Sequence, residues 1–422
     1  MHGLIILQKS FYKTLSRFFV IFTMAVVHAF ADLGYVTNFL ENTVSVFDTV
    51  SNTLLESSPI DVGARPIGIA ITSDGNYVYV TNFAVNTVSV IDAITQTVVG
   101  PPIPVGGAPT GIAITPDDRF LYVANAGTGT VSVIATRSNT VVATIMCGNM
   151  PSELAITPDG KFVYVTDFSG SVLVIKIISN NVVNIIGGFN SPYGIAITPD
   201  GRYAYVANNG NSTVSVIDIT TNTIVGPTIG LEPEIFNLAI TPDGEYVYVP
   251  NDGSGTVQVI ETATNAVVGP SIEVGMFPYP VAITPDGKYV YVADSSSDIV
   301  YVISTLNTVI GTTFSVDFDS QTIAIGPNPL QPKNFNGKQK TNDFGLVYEI
   351  YNFLSWMPSS SKSTVGYYIY RDEVKIATLK AIDLHYKDHN RKKGVSTRYS
   401  ITGFDSGGIE STPLSIVITG SD

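Results

Sequence analysis

Hydrophobic and polar positions alternate with a period of two along most of the chain. The stretch "GIAITPDGRYAYVANNGNSTVSVIDITTNTIVGPTI" (194–229) shows the pattern in full. "GIAIT", "YAYVAN", "TVSVID" and "NTIVGPTI" are short β-branched and aromatic runs, each bounded by Gly, Asn, Asp or Pro. That combination predicts four strands joined by tight turns, because side chains of a strand alternate between its two faces. "TPDG" is a turn: Pro presets φ, Asp bonds back to the backbone and Gly accepts the exit conformation.

The same string returns. Copies start at Gly68, Gly111, Glu153, Gly194, Asn237 and Pro280, in steps of 43, 42, 41, 43 and 43 residues. An orphan second half, "GYVTN", stands at Gly34, and an orphan first half, "TIAIG", at Thr322. Six copies and two complementary halves make seven. A four-stranded unit every ~40–45 residues is the spacing of a β-propeller blade. A lone blade cannot bury both faces, whereas a closed ring of them can. The sequence therefore predicts an all-β chain with a seven-bladed propeller over 32–329, in which "TIAIG" pairs with "GYVTN" so that both ends of the array build the first blade. The recurring turn acids (Asp74, Asp159, Asp200, Asp243, Asp286) are covered by turn chemistry, and no metal site is expected from them.

"YVTN" and its variants "YVAN", "YVTD", "YVPN" and "YVAD", with "VSVID" and "PxGIAITPDG", resemble the YVTN family of β-propeller repeats. That family occurs in bacterial and archaeal cell-surface and surface-layer proteins and is similar to lactonase-like propellers. The resemblance implies the fold strongly and the function weakly.

The flanks differ from the repeat. Residues 1–31 combine Lys9, Lys13 and Arg17 with the apolar run "FFVIFTMAVV" and the small-residue site "AFA", the pattern of a secretory signal peptide. The expectation is a protein that is secreted or held at the cell envelope, in the periplasm or on the outer surface, without a membrane span once the signal is removed. From 330 to 422 the repeat is replaced by strand-like segments around Trp356 and Tyr399, which resemble a fibronectin type III sandwich with a tyrosine corner. Residues 330–345 read as a linker or first strand. The single Cys147 is expected to be a small buried apolar residue.

Charge divides the chain in the same way. The propeller holds 7 basic and 26 acidic residues, and residues 330–422 hold 12 and 9. A strongly acidic propeller repels phosphate, which argues against nucleic-acid partners. The basic clusters "GKQK" (337–340) and "HNRKKG" (389–394) read as solvated loops.

Candidate chemistry is sparse. All four histidines (His2, His28, His385, His389) lie outside the propeller. General acid–base work at neutral pH most often uses His, so no catalytic residue, cofactor or metal is expected. The positions that open each blade's first strand, and so ring the channel mouth, are Gly68, Gly111, Glu153, Gly194, Asn237, Pro280 and Thr322, with one carboxylate among them. Departures from the consensus on that end, Arg65, Glu153, Tyr193, Glu234, Asn237, Phe277 and Tyr279, are the expected ligand-binding residues. The reading is a non-catalytic scaffold that offers a rigid face to a protein or glycan. The alternatives are a lactonase-like or other hydrolytic propeller, marked by converging Glu, Arg or metal ligands at the channel mouth, and a structural surface-layer component.

Overall fold

The computed structural model describes residues 32–418 apart from 56, 306–307, 318, 328–332, 344–347, 360–363, 390–394, 405–410 and 412. Residues 1–31, which carry the signal-like segment, lie outside the described residues, as does most of "HNRKKG".

Seven antiparallel sheets follow one another, each with the strand order of a simple up-and-down meander. Their inner strands are Ser320–Gly326, Pro66–Ile71, Pro109–Ile114, Pro151–Ile156, Pro192–Ile197, Ala239–Ile240 and Pro278–Ile283, for blades 1 to 7. Each inner strand packs on the next, and Ser320–Gly326 sits between those of blades 7 and 2, so the ring is closed. Closure is made as expected: Ser320–Gly326 pairs with Leu33–Asn38, placing Leu33 opposite Gly326 and Tyr35 opposite Ala324. The outer strand is broken in blades 1 and 2. In blade 2 the break falls at "GPP" (100–102), where two prolines cannot donate to the ladder.

The core is not at the centre of the ring but between blades. Tyr205, Ala207, Val214 and Val216 of blade 5 pack on Ile235, Leu238, Val247 and Val249 of blade 6. Val36 and Phe47 of blade 1 pack on Tyr291, Ala293 and Val300 of blade 7, across the closure. Each blade thus buries both faces against its neighbours, at ~1.5–3 kcal/mol per Val- or Ile-sized side chain. Cys147 is buried in one of these layers, and burial with the nearby Asp167 charge pushes its thiol up to about 12.

The turn acids do what their sequence context implies. Asp74, Asp117, Asp159, Asp200, Asp243 and Asp286 each accept from the Thr two residues earlier. Among the described residues no three His, Cys, Asp or Glu side chains gather as a metal site, and no helix is long and apolar enough to cross a membrane.

The C-terminal part is a two-sheet sandwich. One sheet orders Lys333–Asp343, Tyr348–Met357 and His385–Asp388; the other orders Val374–Lys380, Gly366–Arg371, Thr397–Phe404 and Leu414–Ile418. Residues 333–343 are therefore a first strand, and "GKQK" lies within it rather than in a loop. Leu354 and Trp356 from the first sheet meet Tyr367, Ile369, Tyr399 and Ile401 from the second. The Tyr399 hydroxyl donates to Asp388 and accepts from Asn352. Arg371 completes that group by donating to both Asp388 oxygens at 3.0 and 3.1 Å.

Candidate active site

A β-bulge near the start of the inner strand builds the channel mouth. In blade 2 the pairing jumps from Pro66↔Asn82 to Ile69↔Val80. The same jump occurs in blades 3, 4, 5 and 7. A bulge leaves residues unpaired and re-aims their side chains. Here it frees Ser152–Glu153 in blade 4, Tyr193–Gly194 in blade 5 and Tyr279–Pro280 in blade 7.

Hydrogen bonds between blades fix these freed backbones. The Thr166 hydroxyl accepts from the Glu153 N–H at 3.0 Å and donates to the Tyr193 carbonyl at 2.6 Å. The Gly194 N–H donates to the Phe236 carbonyl at 2.8 Å. Glycine is required at two of these places by close approach. A Cβ on Gly111 would stand 2.5 Å from Glu153 Oε2, and one on Gly194 would stand 2.9 Å from Asn237 Cα. The Glu153 carboxylate therefore lies against the bare backbone of the neighbouring blade.

Three aromatic side chains gather beside it. The Phe236 and Tyr279 rings are 5.1 Å apart, Tyr193 meets Phe236 edge-on at 5.8 Å, and Tyr193 and Tyr279 are 6.4 Å apart. The Tyr193 and Tyr279 hydroxyls lie close enough to perturb each other's ionisation. All three rings keep a partly open surface, so they form a wall and not a core.

The electrostatics of this group are unusual for the molecule. Glu153 is deeply enclosed, although part of its surface stays open. Burial pushes its carboxyl up to about 7, against a single favourable bond from the Leu154 N–H. Burial and the Glu153 charge push the Tyr193 hydroxyl up to about 12. Burial, with Tyr193 next, carries Tyr279 well above its ordinary value. Close to Tyr279, burial and the charges of Glu234 and Asp294 raise Asp252 to about 6.

The structure thus brings together Glu153, Tyr193 and Tyr279, with Asn237 against Gly194 on the same rim. It does not bring the other expected residues to them. Arg65 sits in a left-handed turn with its guanidinium 5.4 Å over Phe39, which in turn contacts Phe83. Glu234 occupies the equivalent left-handed position in its own loop and is exposed. Phe277 is 42% exposed on the loop before Pro278. Phe236 joins the site instead. Its repeat position, one residue before Asn237, matches Tyr193 and Tyr279 in their blades, which is the signal that singles it out.

The family model described as lactonase, 7-bladed β-propeller matches residues 25–144, 84–182 and 177–267, in overlapping registers as a repeat permits. No curated protein matches the chain. Among solved structures, a functionally unknown protein from Desulfotomaculum acetoxidans is 20% identical, with a TM-score of 0.62 over 70% of this chain and 99% of its own. A candidate 6-phosphogluconolactonase from Bacteroides uniformis is 18% identical, with a TM-score of 0.60 over 70% and 99%. Hydrazine synthase from Kuenenia stuttgartiensis is 24% identical, with a TM-score of 0.55 over 61% and 88%. These structures share the fold. With its matches spanning more than half of the sequence, this chain belongs to the lactonase seven-bladed β-propeller family.

Proposed function

We propose that the protein hydrolyses a small cyclic ester at the mouth of its central channel. The observation that carries this reading is Glu153: an enclosed carboxyl poised near neutrality by burial, beside an aromatic wall. A general base works best when its pKa lies near the working pH. In this role Glu153 takes a proton from water as the oxygen attacks the ester carbonyl. The ring C–O bond then breaks, and the leaving alkoxide recovers that proton. Phe236 and Tyr279 hold the ring of the substrate by stacking. Family membership supports this hydrolytic reading over the non-catalytic one that the sequence favoured.

A second reading keeps a recognition role for a protein or glycan, supported by the exposed Phe277 and by Arg65 over Phe39 on the same end. Export to the cell envelope, YVTN-type repeats and a fibronectin III-like character for the sandwich belong to this proposal as sequence-based parts of it.

The test is lactone hydrolysis by the full chain and by Glu153→Gln. The expected result is a loss of about 10²–10⁴ in kcat, with a wild-type kcat/KM that rises with pH through about 7 as Glu153 ionises. An unchanged rate in the variant would remove Glu153 from the mechanism.

A further inference from the structure

We infer that this site selects for an uncharged ring and against a phosphorylated one; the inference rests on the hydrolytic reading above. It comes from where the cations are. Of the propeller's seven basic residues, Arg119, Lys161, Arg202 and Lys288 lie in the turns between first and second strands, Arg137 lies in a turn between third and fourth strands, and Lys176 ends a third strand at the equivalent turn. In an up-and-down blade both kinds of turn are at the end opposite the channel mouth. Arg119, Lys161 and Lys288 also face Asp117, Asp159 and Asp286 there, at 3.4, 2.8 and 2.6 Å. Arg65 alone is on the mouth end, and it lies over Phe39 of blade 1 rather than beside the aromatic wall of blades 5 to 7.

The charges nearest that wall are carboxylates instead: Glu153 of blade 4 acts on both tyrosine hydroxyls, and Asp252 of blade 6 on that of Tyr279. Phosphate recognition is most often carried by Arg or Lys, or by the N–H groups at a helix N-terminus. The only helix among the described residues is the three-residue 3-10 turn Asn209–Asn211. Aromatic faces with carboxylates around them suit an apolar, hydroxylated or cationic ring.

The deciding experiment uses the full chain and two substrates that differ only in a phosphate, glucono-δ-lactone and its 6-phosphate. Hydrolysis is followed by acid release, and binding to Glu153→Gln by calorimetry. The expected preference in kcat/KM for the uncharged lactone is about tenfold or more, the factor that ~1.4 kcal/mol of like-charge repulsion gives. Equal or better use of the phosphorylated lactone would overturn the charge selection while leaving the hydrolase reading in place. Binding of the uncharged lactone in preference, with neither hydrolysed, would sustain the selection and overturn the hydrolase reading. Neither bound nor hydrolysed would overturn both.

Discussion

At the scale of residues, one carboxyl group sets the behaviour of the site. Glu153 is raised by burial from 4.5 to about 7. Between those pH values the native state holds a proton that the unfolded chain has lost. Stability therefore falls as pH rises across that window and levels off above about 7. Glu153→Gln should remove this slope and raise the melting temperature at pH 8 relative to wild type, because a neutral amide escapes the penalty on the buried charge. Melting curves of both proteins from pH 5 to 8 check it; a parallel slope in the variant would contradict the burial argument. That a carboxylate stands in the ring was legible, since Glu153 breaks a run of glycines. That it is enclosed was not, because enclosure comes from Gly111 in another blade.

At the scale of elements, two devices join strands and blades. The second strand of each blade carries a fully buried Tyr: Tyr35, Tyr79, Tyr122, Tyr164, Tyr205, Tyr248 and Tyr291. Tyr79 donates to Asn139 at 3.0 Å, Tyr122 to Asn180 at 2.7 Å and Tyr205 to Asn265 at 2.7 Å, each partner lying in a turn of the next blade. Those asparagines hold left-handed backbone, which Asn tolerates well. Tyr291 closes the ring, donating to Asn52 Oδ1 at 2.6 Å and the Thr49 carbonyl at 3.1 Å. Tyr291→Phe should cost about 1–3 kcal/mol by leaving a buried acceptor unpaired, measured by denaturant unfolding; no loss would mean the bond is not maintained.

The second device explains why "YVTN" becomes "YVTD" in blade 4 and "YVAD" in blade 7. Where the third strand reads Thr-x-Ser, the terminal Asn donates to both hydroxyls, as Asn82 does to Thr87 and Ser89. Blades 4 and 7 have Leu173 and Tyr301 in place of that Ser. Their Asp167 and Asp294 instead accept backbone N–H groups of the loop leading to the channel, from Asn149 and Met150 and from Met276 and Phe277. The repeat made these positions visible in the sequence, but not what each side chain bonds.

At the scale of the molecule, the ring stands on one seam. Three strands come from the start of the array and one from its end, so blade 1 forms only when residues some 285 apart meet. Ile323, on the closing strand, is buried with Val36, Ala282 and Tyr291. Ile323→Asp should destabilise the propeller by about 3 kcal/mol or more, since it buries an unpaired charge. The same change at Val142, exposed on an outer strand, should stay within about 0.5 kcal/mol. Equal effects would mean that closure does not govern stability.

The sequence by itself determined the blade count, the strands, the turns and the closure, because each rests on local periodicity repeated at a fixed interval. It also placed the sandwich strands around Trp356 and Tyr399. Only the tertiary structure decided which divergent residues form the site. Arg65 and Glu153 stand out equally as departures from a consensus. One lies over Phe39 and the other under an aromatic wall drawn from three other blades. Side-chain identity is written in each repeat, but enclosure, and the pKa that follows from it, is a sum over neighbours that only the closed ring brings within reach.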